Sequence, residues 1–256
     1  MDQCRRPIIL VFWRYSSMSF YSGFAEEYDR VFPFREEVYR FLLTHSGEAR
    51  GKVLDVGCGP GHYCGRFTAD GYRATGIDLD DVMIAAAGRR YPETTFRMLD
   101  MREIEAAGSG FRCIYSIGNV MAHLPQAELP GFIGKVFGML EHGGSWIMQV
   151  MNWDAFASMS EYEFPVKSID RKGASSTFRR RYDFEGDDSV TFSIVFGHAG
   201  QMLFNERTTL YTVSLRNYLG IHESAGFRCA GSYADFVGTP LRKEPGTGLV
   251  MVFRKS

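Results

Sequence analysis

Residues 53–64 read VLDVGCGPGHYC. Val53, Leu54 and Val56 make an aliphatic run of the length expected for a short interior strand. Gly57, Gly59 and Gly61 then strip alternate side chains from the turn, and Pro60 stiffens it. A helical segment follows from Tyr63 to Ala69. A strand, a bare turn and a helix in that order expose backbone N–H groups at a helix N-terminus, where a polar or anionic ligand can approach the main chain. Which ligand the turn receives is the question the rest of the chain must answer.

Outward from this turn the chain alternates. Strands are predicted at 52–57, 73–78, 94–99, 111–117 and 145–151, with helices at 62–70, 81–90 and 126–140 between them. A further helix is predicted over 34–45, where Val38, Phe41 and Leu42 share one face. This β/α rhythm specifies a parallel sheet wrapped by right-handed crossovers. After Asn152 the rhythm changes. Residues 177–185, 189–197 and 202–213 are rich in Phe, Tyr, Val and Thr with partial alternation, the pattern of an antiparallel meander. A helix over 214–225 and strands at 227–233 and 247–254 complete the pattern. The expected organisation is one α/β domain from residue 18 to 256, carrying a β-rich insertion at 152–212.

Composition limits the function. The 256 residues are 45% apolar and 23% charged, with a net charge of −1, which is ordinary for a globular protein and argues against a nucleic-acid surface built on bulk charge. The five cysteines form no CxxC pair, so reduced thiols are expected and no structural zinc site suggests itself. RRPIILVFW near the start is too short to cross a bilayer and lacks a cleavage site. Residues 1–17 are expected to be an extension with little role in the fold, no membrane association is expected, and cytoplasm is the default location.

The glycines do not fit a dinucleotide fingerprint, which needs its third glycine three residues after the second. His62 or Cys64 stands there, depending on the register. Two acids give a better lead. Asp78 ends the second predicted strand in GIDLD, and Asp100 follows the third in LDM. A carboxylate at the first place can accept both hydroxyls of a ribose, and one at the second can accept an adenine amino group. Ligands of open α/β sheets collect along this carboxyl edge. Asp80 and Asp81 are read as helix N-caps.

Taken together, VLDVGCGPG, GIDLD, LDM, FRCIYSIGNVMAHLP, LEHGGSWIMQV and LRNYLGIHESAGF resemble, in order, the motifs of the class I S-adenosylmethionine-dependent methyltransferases. The resemblance covers about 18–152 and 214–254. It implies a Rossmann-like seven-stranded, mostly parallel sheet of order 3-2-1-4-5-7-6, with strand 7 antiparallel, and S-adenosylmethionine as cofactor. By the same resemblance, Asp55 and the backbone at Gly57, Gly59 and Gly61 surround the methionine part, and Asp78 holds the ribose. Asp100 and the Met101 backbone face the adenine, while Ser116 and Ile117 line the methionine end. Tyr21 and Tyr28 resemble an N-terminal segment that folds over the cofactor; ordinary helix packing explains them equally well.

Methyl transfer from a sulfonium needs an in-line nucleophile and exclusion of water, and no covalent protein nucleophile. His123, on the loop after the fourth strand, is the candidate base, its alternative role being a backbone hydrogen bond that shapes the pocket. Asn119 either orients an acceptor or caps the following turn. His62 is read as part of the cofactor turn and His142 as solvated. Ser116-Ile117-Gly118-Asn119 lacks the Asn/Asp-Pro-Pro-aromatic tetrad of enzymes acting on base amines or glutamine amides. No acid cluster for a magnesium ion is visible, so no metal is expected. The insertion's aromatics (Tyr162, Phe164, Phe178, Tyr182, Phe184, Phe192, Phe196) either roof an acceptor pocket or fill the core beneath the meander. Arg171, Lys172, Arg179, Arg180 and Arg181 form a basic run that either meets an acidic acceptor or lies solvated on a strand. The expected reaction is methylation of an N or O atom of a small molecule. A non-catalytic cofactor-binding module and an NAD-dependent oxidoreductase are the rival readings.

Overall fold

In a computed structural model of the chain, describing residues 28–47, 50–171, 174–186, 188–198, 200–242 and 244–256, the aliphatic run is an interior strand, β1 (Lys52–Val56). Val53, Leu54 and Val56 are fully buried, each worth roughly 1.5–3 kcal/mol in area removed from water. Tyr21 and the expected extension at 1–17 lie outside the described residues.

The β/α rhythm continues through β2 (Arg73–Asp78), β3 (Thr95–Met98), β4 (Phe111–Ser116) and β5 (Leu140–Met151). The insertion supplies β6 (Glu161–Glu163), β7 (Lys167–Arg171), β8 (Ala174–Phe184), β9 (Ser189–His198) and β10 (Gln201–Tyr211). The chain then returns through β11 (Phe227–Tyr233) and β12 (Gly248–Lys255). The helices are α1 (Tyr28–Val31), α2 (Glu36–Ser46), α3 (His62–Ala69), α4 (Asp81–Arg90), α5 (Leu129–Met139) and α6 (Leu215–Ser224).

The main sheet has seven strands in the order β11-β12-β5-β4-β1-β2-β3. Strands β1 to β5 pair in parallel, and β12 runs antiparallel to both neighbours. This is the expected 3-2-1-4-5-7-6 arrangement, with the last two strands of the chain as 6 and 7. One face packs on α5 and α6 and the other on α2 and α3, each over its own apolar cluster. Among the described residues, no helix is long and apolar enough to cross a membrane.

Three details depart from the sequence reading. The helix predicted at 126–140 is a 3-10 turn (Gln126–Glu128) followed by α5. β5 begins at Leu140 rather than 145, because Leu140 pairs with Phe111 before a bulge that admits Gly143 at φ +73°. The insertion holds five strands rather than three, since β6 and β7 both pair along β8. Val190, Phe192, Ile194 and Phe196 alternate inward on β9 and are buried. With Phe178 and Tyr182 of β8 they close over α1, Ala122 and Trp153 in a third apolar cluster. That cluster lies against the carboxyl edge of the main sheet, where the loop after β4 emerges.

Candidate active site

The glycine turn is stitched to the end of β2. The Gly57 and Cys58 N–H groups donate to the Ile77 carbonyl at 2.8 and 3.0 Å. The Gly59 N–H donates to Asp78 Oδ2 at 2.8 Å, and the Asp80 N–H to Asp78 Oδ1 at 3.0 Å. Burial raises the Asp78 carboxyl, and these N–H donors partly offset it. Asp80 caps α4 by accepting from Val82 and Met83 N–H at 2.9 and 3.1 Å, as read from the sequence.

The three glycines are not equivalent. A Cβ on Gly57 would sit 2.5 Å from Val120, and one on Gly61 2.5 Å from the Phe96 ring and 2.9 Å from Ala87. Those two let the turn close against the protein itself. A Cβ on Gly59 would meet nothing nearer than the Tyr28 ring, at 3.8 Å. Gly59 therefore leaves a cradle one methyl deep between the turn and α1.

Asp55 lies beneath the turn, 1% exposed. It is opposite Tyr115 in the β1–β4 register, and its Oδ2 is 3.8 Å from Cys64 Sγ. Burial pushes its carboxyl up to about 8, against the opposing effect of the Tyr115 hydroxyl. Its Oδ1 is buried with no hydrogen-bond partner. An orphaned carboxyl oxygen beside a bare glycine turn suits a ligand ammonium group.

Tyr28 brings α1 over the turn, and a cluster that sequence reasoning missed fastens it there. Asp29 Oδ1 is 2.6 Å from His62 Nε2, and Asp29 Oδ2 is 2.6 Å from the Arg90 guanidinium. His62 Nδ1 meets the Tyr91 hydroxyl at 2.8 Å. Burial raises Asp29, but the hydrogen bonds from Arg90 and His62 outweigh it and hold the carboxyl below its ordinary value. His62 thus joins the first turn of α3 to α1.

At the next strand ends, Met98 of β3 stands opposite Asp78 in register. Leu79 and Met98 are 66% and 63% exposed, giving a flat apolar rim beside the acid. The Asp100 carboxylate accepts from the Arg102 N–H at 2.8 Å, capping a 3-10 segment (Met101–Ala107), and also pairs with the Arg102 side chain. Met101 is half-buried against the core.

Beyond β4 the side chains are committed to the scaffold. The Ser116 hydroxyl is buried and donates to the Val56 carbonyl at 3.0 Å, so what it presents to a ligand is main chain. Ile117 packs on the α2–α3 side. Asn119, at φ +68°, is the one non-glycine with positive φ among the described residues, a conformation that asparagine tolerates better than most residues. Its Oδ1 accepts from the Met151 N–H at 2.9 Å, and its own N–H donates to the Gln149 carbonyl. The 3-10 turn Val120–His123 follows, with Val120 against Gly57 and Ala122 in the insertion's cluster. Burial drops His123 to about 4, so its imidazole is neutral at pH 7. His142 is exposed on the β5 bulge. Among the described residues, no three His, Cys, Asp or Glu side chains converge as a metal site.

Residues 53–144 match the family profile described as a methyltransferase domain. A Bacillus subtilis protein named as a methyltransferase, YqeM, is 24% identical over 231 residues, covering 86% of this chain and 91% of its own. The dTDP-3-amino-3,4,6-trideoxy-alpha-D-glucopyranose N,N-dimethyltransferase of Streptomyces venezuelae is 25% identical over 88% of both chains. A Geobacillus protein, also named as a methyltransferase, is 24% identical over 51% of this chain; there the match spans just 57% of the relative's length. Among solved structures, the CcbJ methyltransferase of Streptomyces caelestis superposes with a TM-score of 0.76 at 14% identity, covering 94% of this chain and all of that one. CalS10 of Micromonospora echinaspora, an amino pentose methyltransferase solved with its cofactor bound, gives 0.67 at 18% identity over the whole of both chains.

Proposed function

We propose that this chain, which is a class I S-adenosylmethionine-dependent methyltransferase and takes S-adenosylmethionine as its cofactor, methylates a nitrogen of a small-molecule amine. The observation that carries the reading is the juxtaposition of the Gly59 cradle with the loop after β4 and the aromatic underside of the insertion. A cofactor seated on the turn would then face the apolar cluster that α1, the loop after β4 and the insertion share. The Streptomyces venezuelae relative is named as an N,N-dimethyltransferase of an amino hexose, which supports nitrogen over oxygen, and the Micromonospora echinaspora protein is named as acting on an amino pentose, which supports a small-molecule acceptor.

The cofactor supplies an activated methyl group on a sulfonium. Asp78 accepts the ribose hydroxyls, and the Leu79–Met98 rim with Asp100 and the Met101 backbone takes the purine. Asp55 Oδ1 receives the ammonium end. The acceptor nitrogen must arrive neutral, with its lone pair aligned on the methyl carbon. Alignment of this kind can supply roughly 7–11 kcal/mol of the barrier. Neutral His123 can accept a hydrogen bond from the acceptor N–H and hold that lone pair in line; with burial keeping it hard to protonate, its role is orientation more than proton removal. Asn119 positions the loop through Met151 and Gln149. The Phe and Tyr side chains of β8 and β9 exclude water.

The test is incubation with methyl-labelled S-adenosylmethionine and a panel of amines and alcohols that includes nucleotide-linked amino sugars. Label on nitrogen is expected, with His123→Ala lowering kcat more than it raises KM. Label on oxygen alone, or on no small molecule, contradicts the proposal.

A further inference from the structure

We infer that the acceptor carries an anionic group, a phosphate or a carboxylate, and that Arg180 and Lys167 on the underside of the insertion bind it. The inference rests on the methyl-transfer reading and names the substrate class for that same site.

The run Arg179-Arg180-Arg181 is split by the pleat of β8. Arg181 faces outward, where it pairs with Glu161 at 2.5 Å and Asp183 at 2.7 Å. Arg179 also lies outside and is exposed. Arg180 shares the inner face with Phe178 and Tyr182, both buried. Its guanidinium stacks on Phe164 at 4.4 Å and reaches Phe178 at 5.6 Å. Its Nε is buried without a hydrogen-bond partner, and among the described residues no carboxylate pairs with it. Burying an unpaired guanidinium is costly, and stacking on two rings offsets only part of that.

Lys167 adds a second cation. It stands directly opposite Phe178 in the β7–β8 register, on the same face as Arg180 and two residues along. One of its three donors goes to the Val31 carbonyl at 2.8 Å, and its ammonium lies 5.1 Å from the Phe32 ring. Burial and the nearby positive charges of Arg180 and Arg35 both lower its proton affinity. Two repelling cations held together, with no carboxylate paired to either among the described residues, make an anion receptor by charge and by donor count. Val31, Phe178 and Phe164 belong to the cluster that also holds Ala122, beside His123. The two cations therefore border the same apolar cluster as the loop that carries His123.

The experiment follows the Arg Nε–H signals of the full chain by 15N NMR, with S-adenosylhomocysteine present and ionic strength held constant. Inorganic phosphate and acetate are titrated separately across the millimolar range. The Arg180 signal, identified by its loss in Arg180→Lys, is expected to shift saturably with at least one probe, while Arg179 stays still. Lys167→Met should weaken that response about tenfold. Response to phosphate identifies a phosphorylated acceptor class, and response to acetate a carboxylated one. An Arg180 signal that neither anion moves, or that responds equally in Lys167→Met, overturns the inference. Should Arg180→Lys fail to fold, the signal is identified by Arg180→Gln. S-adenosylhomocysteine affinity measured in the same samples separates the two failures. Intact affinity with a silent Arg180 defeats the anion subsite alone, whereas no affinity defeats the methyl-transfer reading beneath it.

Discussion

Gly59→Ala should disable the cofactor site while leaving the fold nearly intact, and Gly61→Ala should do the reverse in larger part. At Gly59 the backbone has φ +50°, so an alanine there costs about 1–2 kcal/mol in left-handed strain. Nothing of the protein adds to this, because the new methyl would lie 3.8 Å from its nearest neighbour, Tyr28. For a domain of this size the cost lowers the thermal midpoint by about 2–8 °C. The Gly59 N–H that reaches Asp78 is kept. The methyl instead fills the cradle, so affinity for S-adenosylhomocysteine should fall at least about tenfold, or roughly 1.4 kcal/mol. At Gly61 the same strain is joined by overlap with Phe96 at 2.5 Å and Ala87 at 2.9 Å. Overpacking adds about 1–3 kcal/mol, for a total of about 2–5 kcal/mol. Thermal melts and calorimetric titration of both variants decide the matter. Wild-type affinity in Gly59→Ala, or equal destabilisation by the two substitutions, would refute the assignment of Gly59 to the ligand.

Asp29→Ala releases α1 from His62 and Arg90, and stopped-flow dissociation of S-adenosylhomocysteine should quicken several-fold with little change in melting; an unchanged off-rate would leave α1 no part in holding the cofactor. Asp55 carries its carboxyl at about 8 in the folded chain, so the native state binds the extra proton, and stability should fall as pH rises from about 4 towards 8. Asp55→Asn should flatten that limb in denaturant titrations and weaken S-adenosylhomocysteine, and retention of the limb would contradict the placement. His222 is fully buried, accepts from the Trp146 indole at 2.9 Å, donates from Nδ1 to the Tyr218 carbonyl at 2.6 Å and is lowered to about 4 by burial. Here the unfolded chain binds the extra proton, so its contribution is complete above about pH 6.5 and is lost as pH falls towards 4, by up to about 3 kcal/mol. His222→Phe should shrink the acid-side slope and cost stability at pH 7 by stranding the Trp146 N–H, and an undiminished slope would place the titration elsewhere.

The main sheet could be read from the sequence because its signals are local. Val53, Leu54 and Val56 mark a buried strand without help from any other segment, and the Asp80 cap is legible from its position ahead of Val82 and Met83. The insertion was legible at β8, β9 and β10, where aromatics alternate. It was not at β7, since Lys167–Arg171 has no alternation and pairs along half of β8. The α1 cluster joins Asp29 to His62 across 33 residues of chain and His62 to Arg90 across 28, separations at which propensity carries no information. Arg180 was legible as part of a basic run, and the sequence also holds the signal that sets it apart from Arg179 and Arg181. With Phe178 and Tyr182 two residues to either side, period two alone sets it facing inward. The Ser116 hydroxyl and the Asp100 cap show the converse. The positions were found at the expected strand ends, but which partner each side chain takes depends on Val56 and Arg102, which nothing in the motifs encodes.

The central claim is that one adenosyl ligand spans the carboxyl ends of β1, β2 and β3. Isothermal calorimetry with S-adenosylhomocysteine, and separately with NAD, on the intact chain and on Asp78→Ala tests it most directly. Saturable micromolar binding of S-adenosylhomocysteine, weakened at least about tenfold in Asp78→Ala, with no heat from NAD, is the predicted result. Binding of NAD in its place, or unchanged affinity in Asp78→Ala, would contradict it.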